Sequence, residues 1–159
     1  MPSYKEANVI REVGRRKNKT DKKEADIMEW RLVAKTRDID KGTMKLIEVG
    51  EKKVVVANLD GKYYVFKDRC PHMNAPLHMG ILKGNVLACP MHYSTFDVTT
   101  RRKLSDPKLG MPPEMMKKLP EDFLQMYSKW GEIMAEIETY DLETYEVKIE
   151  GESISIRVE

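Results

Sequence analysis

The sequence predicts an all-β fold of antiparallel strands interrupted by one helical insertion. Three observations carry that prediction. Short runs of apolar residues alternate or are rich in β-branched side chains, turn residues sit between them, and one later stretch has apolar residues at helical spacing.

The strand pattern begins at Trp30 and continues through Arg31, Leu32, Val33 and Ala34. Lys45-Leu46-Ile47-Glu48-Val49 follows, then the β-branched run Val54-Val55-Val56. Asp60-Gly61 precedes Tyr63-Tyr64-Val65-Phe66, and Asp-Gly between two apolar runs predicts a tight hairpin, because its turn needs positive φ. Lys83-Gly84-Asn85 reads as a turn into Val86-Leu87-Ala88. Two alternating runs, residues 144–149 and 153–158, flank Glu150-Gly151-Glu152 and form a closing hairpin. Between these strands, Pro112-Pro113-Glu114 and Pro120-Glu121-Asp122 both look like helix starts. Phe123, Tyr127, Trp130, Met134 and Ile137 then recur at steps of four and three, which places them on one helix face.

Size and charge limit the function. The 159 residues suit one domain with some additional segments. Apolar residues make up 41% and charged residues 34%, a composition typical of soluble globular chains. A formal net charge of +2 is too small to argue for nucleic acid or an anionic membrane surface. No run approaches the roughly 18 consecutive apolar residues of a membrane helix. Arg15-Arg16 invites comparison with a twin-arginine export signal, but Lys17, Asn18, Lys19, Thr20, Asp21, Lys22 and Lys23 stand where its apolar run belongs. The expectation is a cytoplasmic protein whose residues 1–28 form a basic flexible arm. Within that arm Val9, Ile10 and Val13 have the spacing of one helical turn.

The chain has two cysteines, Cys70 and Cys89, and three histidines, His72, His78 and His92. All five fall between residues 70 and 92, a crowding that core packing does not explain. Cys70-Pro71-His72 has the pattern C-x-H and Cys89-Pro90-Met91-His92 the pattern C-x-x-H. Each pair follows a strand-like run, so two loops can bring four ligands to one place. Two thiolates and two neutral imidazoles suit a two-iron centre in which the His-bound iron is the easier to reduce. A mononuclear zinc site with the same four ligands is the bland alternative, although zinc sites favour C-x-x-C and H-x-x-x-H spacings. His78, between the loops, reads as an exposed loop residue, with docking or proton transfer as the sharper reading.

Residues 70–80, Cys70-Pro71-His72-Met73-Asn74-Ala75-Pro76-Leu77-His78-Met79-Gly80, resemble the first cluster loop of the Rieske ferredoxins, and Cys89-Pro90-Met91-His92-Tyr93-Ser94-Thr95-Phe96-Asp97-Val98 resembles the second. The lead-in from Gly61 to Arg69 and the final hairpin are similar to the family as well. The likeness covers about residues 30–110 and 142–158. It implies a Rieske fold over residues 29–159, with cluster-binding loops at 68–98 and a helical insertion at about 113–138. It implies one [2Fe–2S] cluster per chain, Cys70 and Cys89 on one iron and His72 and His92 on the other, with the histidines partly exposed where a partner docks. In the family's high-potential members a Ser and a Tyr donate hydrogen bonds to the cluster. Ser94 stands where that Ser does, and Phe96 stands where the Tyr would be, without a donor. Tyr93 replaces the family's Gly after the second His, so its side chain must project outward. Arg101 replaces an expected turn Gly, and Gly110-Met111-Pro112-Pro113 is the candidate for the loop that closes the cluster face.

The implied function is one-electron transfer between a reductase and an acceptor such as an oxygenase. The rival class is a subunit or redox-sensing component of a larger oxidoreductase. With His72 and His92 on the cluster, His78 alone cannot complete a two-His facial triad, so this chain is expected to be no oxygenase and no enzyme by itself.

Overall fold

The computed structural model describes residues 10–11, 29–108 and 110–159. Apart from Ile10 and Arg11, the predicted flexible arm lies outside the described residues. These two residues form strand β1 (Ile10–Arg11) rather than a helical turn, and pair in parallel with Ile47 and Glu48. Two compact units result: one holds the described residues up to Asp68 together with Glu143–Glu159, and the other is Arg69–Leu142. No helix among the described residues is long and apolar enough to cross a membrane.

The first unit contains two sheets. β3 (Thr43–Val49), β4 (Lys52–Leu59) and β5 (Lys62–Lys67) form an antiparallel meander, flanked by β1 on one edge and β10 (Thr144–Tyr145) on the other. β11 (Val147–Glu150), β12 (Ser153–Val158) and β2 (Glu29–Lys35) form the second sheet. The run read as one strand over residues 144–149 therefore serves both sheets, changing over at Glu146. The β-branched run in β4 explains its central place. Val54, Val55, Val56 and Ala57 are all fully buried, which a strand paired on both edges and covered on both faces requires. Alternation sends Ile154, Ile156 and Val158 of β12 into the core beside Ile47, Val54, Val56 and Val65. β2 breaks the alternation, because Val33 and Ala34 are both buried. A register shift opposite Ile154 and Ser155 leaves Val33 as the extra residue of a bulge, so two successive side chains face inward.

The predicted hairpin at Asp60-Gly61 is present, with both residues at positive φ, 53° and 88°. Asn58 secures it: its Oδ1 accepts from the Gly61 N–H at 2.8 Å and its Nδ2 donates to the Ile39 carbonyl at 2.8 Å.

The second unit holds a four-stranded antiparallel meander, β6 (Ile81–Lys83), β7 (Val86–Ala88), β8 (Thr95–Asp97) and β9 (Lys103–Ser105). Helices α1 (Pro113–Met116) and α2 (Glu121–Glu136) start where the prolines announce them. The buried strip of α2 differs from the expected one. Met134 is buried and Leu124, Tyr127 and Gly131 are half-buried, whereas Phe123 and Trp130 are exposed together with Met126 and Ile133. The apolar arc of this helix is wider than the strip it buries.

Gly61→Val places a β-branched residue at φ 88°. It is expected to lower unfolding free energy by about 1–2 kcal/mol, measured by denaturant titration, without moving other parts of the meander.

Candidate metal centre

The two Cys/His loops are built alike. In the first, the Cys70 N–H donates to the Ala75 carbonyl at 2.8 Å and the Asn74 N–H donates to the Cys70 carbonyl at 2.8 Å. In the second, the Cys89 N–H donates to the Ser94 carbonyl at 2.9 Å and the Tyr93 N–H to the Cys89 carbonyl at 3.2 Å. A proline follows each cysteine and presets φ for the turn. The residue four after each cysteine is left-handed, Asn74 at φ 58° and Tyr93 at φ 57°. Asn takes that conformation readily, whereas Tyr adopts it at a cost of about 1–2 kcal/mol. The Tyr93 ring projects into solvent, as a bulky residue at this position must.

Gly80 holds the loops together. It follows the 3-10 turn Leu77–Met79 at the end of the first loop, and a Cβ there would run into the carbonyl oxygen of Ala88, the residue before Cys89. Only a bare backbone lets Ile81 pair with Ala88 and bring the root of the second loop against the end of the first. From sequence alone Gly80 has no assigned role; its signal is its place just before Ile81-Leu82-Lys83, a three-residue strand too short to show periodicity.

Cys70 and Cys89 are free and buried, and each thiol is perturbed by the other. The shared hydrogen bond and then burial push the Cys70 thiol far up, while the same bond pulls Cys89 down to about 6. Two neighbouring buried sulfurs thus resist being ionised together. The rings of His72 and His92 stand edge to face, centroids 5.3 Å apart. Burial and the neighbouring His72 lower the His92 pKa, favouring the neutral, ligating imidazole. His72 is buried, and its Nε2 lies 3.3 Å from the Met134 carbonyl of α2. His78 is half-buried in the 3-10 turn, not an exposed loop residue.

Ser94 is fully buried, and its Oγ has no hydrogen-bond partner among the described residues. A buried hydroxyl without a partner costs about 1–3 kcal/mol, so it calls for an acceptor. Phe96 is fully buried on β8 opposite Leu87, part of the small sheet's apolar interior. The chain returns to the second loop at Lys108, whose N–H donates to the His92 carbonyl at 2.7 Å. That contact lies ahead of the Gly110–Pro113 run expected to close the face.

Among the described residues, no group of three Cys, His, Asp or Glu side chains is arranged to hold a single ion. A buried sulfur pair, an imidazole pair and an unpartnered buried hydroxyl fit a two-iron, two-sulfide group, which asks two protein ligands of each iron and accepts hydrogen bonds at sulfur.

A family model described as the Rieske [2Fe-2S] domain matches residues 29–120. The ferredoxin CarAc of Metapseudomonas resinovorans is 30% identical over 105 residues, 65% of this chain and 90% of that protein. The ferredoxin component of the naphthalene 1,2-dioxygenase/salicylate 5-hydroxylase systems of a Ralstonia species is 25% identical over 130 residues, 82% of this chain and 96% of its own. Among solved structures, the Sphingomonas yanoikuyae B1 ferredoxin superposes with a TM-score of 0.57 at 20% identity, over 82% of this chain and all of that one. Apoptosis-inducing factor 3 of Mus musculus is 32% identical over 68 residues, 43% of this chain, and the match spans 11% of that protein.

Gly80→Ala is expected to part the two loops. The readout is the visible absorbance and iron content of the purified variant, expected to fall well below the parent protein's while the first unit keeps its far-UV circular dichroism.

Proposed function

The chain belongs to the Rieske [2Fe–2S] domain family, and from that premise we propose that it is a soluble cytoplasmic carrier of single electrons from a reductase to an acceptor such as an oxygenase. Two of its relatives are named as ferredoxins, one of them a component of oxygenase systems. The observation that carries the reading is the pair of matched loops, each closing on its own cysteine and each presenting one thiol and one imidazole. Cys70 and Cys89 would hold one iron, and His72 and His92 the other. When bound, the cluster supplies a one-electron couple whose potential is raised by the imidazole ligands relative to all-cysteine clusters.

The remaining residues position and tune that group. Burial of the sulfurs excludes water from the ligands, and Cys89 is already drawn towards the thiolate. Ser94 Oγ, buried and without a partner among the described residues, would donate to a cluster sulfur, which would favour the more negative reduced state and raise the potential. Phe96 offers no second donor. Residues 29–159 act as one redox domain with an insertion at about 113–138, and residues 1–28 precede it as a basic arm.

The first test is composition and spectrum. The purified protein is expected to hold about two iron and two acid-labile sulfide per chain, and the reduced form to give the low-average-g EPR signal of mixed Cys/His ligation. Stoichiometric zinc without sulfide would overturn the reading. The second test is Ser94→Ala, expected to lower the potential by up to roughly a hundred millivolts in a redox titration, the equivalent of one hydrogen bond to a charged group. An unchanged potential would mean that Ser94 Oγ points elsewhere.

A further inference from the structure

The two ligand histidines have unlike surroundings. His72 is 7% exposed, whereas His92 is half-buried, flanked by exposed Met91 and Tyr93. The end of α2 lies beside His72. Along that helix Met134 is buried and Leu124, Tyr127 and Gly131 are half-buried. Its last turn sets the Met134 carbonyl 3.3 Å from His72 Nε2. That carbonyl is among the last four of the helix, which lack full intrahelical partners and carry the helix's partial negative charge. The Ile137 N–H reaches it at 3.3 Å, and its second lone pair is free for another donor.

A backbone carbonyl can only accept. In this contact His72 therefore carries its proton on Nε2, which leaves the Nδ1 lone pair free for metal. Orientation of a ligand histidine through its other nitrogen is how outer partners fix tautomer and ring plane. Here the partner is a helix end, set against a buried imidazole. Among the described residues His92 has no such acceptor, and it is half-buried rather than buried.

Resting on the carrier reading above, we propose that α2 seals His72 and makes His92 the single imidazole through which this protein exchanges electrons. Met134 is then a positioning residue that acts through its main chain. Any partner meets one histidine, framed by Met91 and Tyr93, and never the His72 side.

The holoprotein tests this in two ways. First, the reduced protein is moved into D2O, and the exchangeable imidazole protons coupled to the electron spin are followed by ENDOR. One proton is expected to be lost at once and the other at least about tenfold more slowly, as for a buried, hydrogen-bonded group. Gly131→Pro, which breaks α2, should let both go at once. Two equally fast or two equally slow protons in the parent protein would overturn the proposal. Second, the reduced protein is oxidised by ferricyanide, one electron per anion, at physiological salt, where charge acts over roughly 8 Å. Met91→Glu, beside His92, is expected to slow the reaction several-fold, and Ile133→Glu, on α2, to leave it unchanged. Equal slowing by both would overturn the single route. Failure of the carrier reading is distinct: the parent protein would then show no EPR signal on reduction.

Discussion

The approach of the Gly80 backbone to the Ala88 carbonyl is the constraint on which the second unit depends. The two ligand loops are separate segments of the chain, and each closes on itself through local hydrogen bonds. Nothing in that local closure brings one loop to the other. The pairing of Ile81 with Ala88 does, and it is possible only because Gly80 has no Cβ to meet the oxygen. The short strands β6, β7 and β8 then carry the second loop as their connection, so the meander that looks minor by length sets the spacing of the ligands.

Bringing four ligands together has an electrostatic consequence. Two sulfurs buried side by side cannot both be ionised without a compensating positive charge, since an isolated buried anion is strongly disfavoured. The Cys70 thiol is accordingly driven towards its protonated form by the neighbouring sulfur and by burial. Metal binding replaces that proton, so ligand assembly and folding of the loops are linked. The buried Ser94 hydroxyl belongs to the same logic, because a donor without an acceptor is a cost until sulfur is present.

The strands of the first unit were legible because their signals are local. Asp60-Gly61 requires a particular turn, and an unbroken Val54-Val55-Val56 run requires a strand covered on both faces. The ligand residues were legible because their spacing is unusual and their type is chemically narrow. Three things were not. β1 is two residues long and pairs in parallel, so no periodicity can announce it. β8 and β9 are three residues each, and their pairing is decided by the neighbouring loops rather than by propensity. The orientation of α2 was misjudged because its apolar arc offers two possible strips, and a sequence does not say which of them packs.

The two loops also show what the geometry demands and what it leaves free. Both need a left-handed residue four positions after the cysteine, so that one N–H can return to the cysteine carbonyl and the next carbonyl can accept from the cysteine N–H. Asn74 meets the demand at little cost, and a glycine would do so in the second loop. Tyr93 does not suit it, yet its φ of 57° differs by a degree from that of Asn74. A strained residue persists where its surroundings over-determine the backbone. Around Tyr93 they do: its own N–H is tied to Cys89, Ser94 is tied back to Cys89, and Lys108 holds the carbonyl of His92 immediately before it. The loop is thus held from three sides, and the identity of the left-handed residue is free to vary as long as its side chain leaves for solvent.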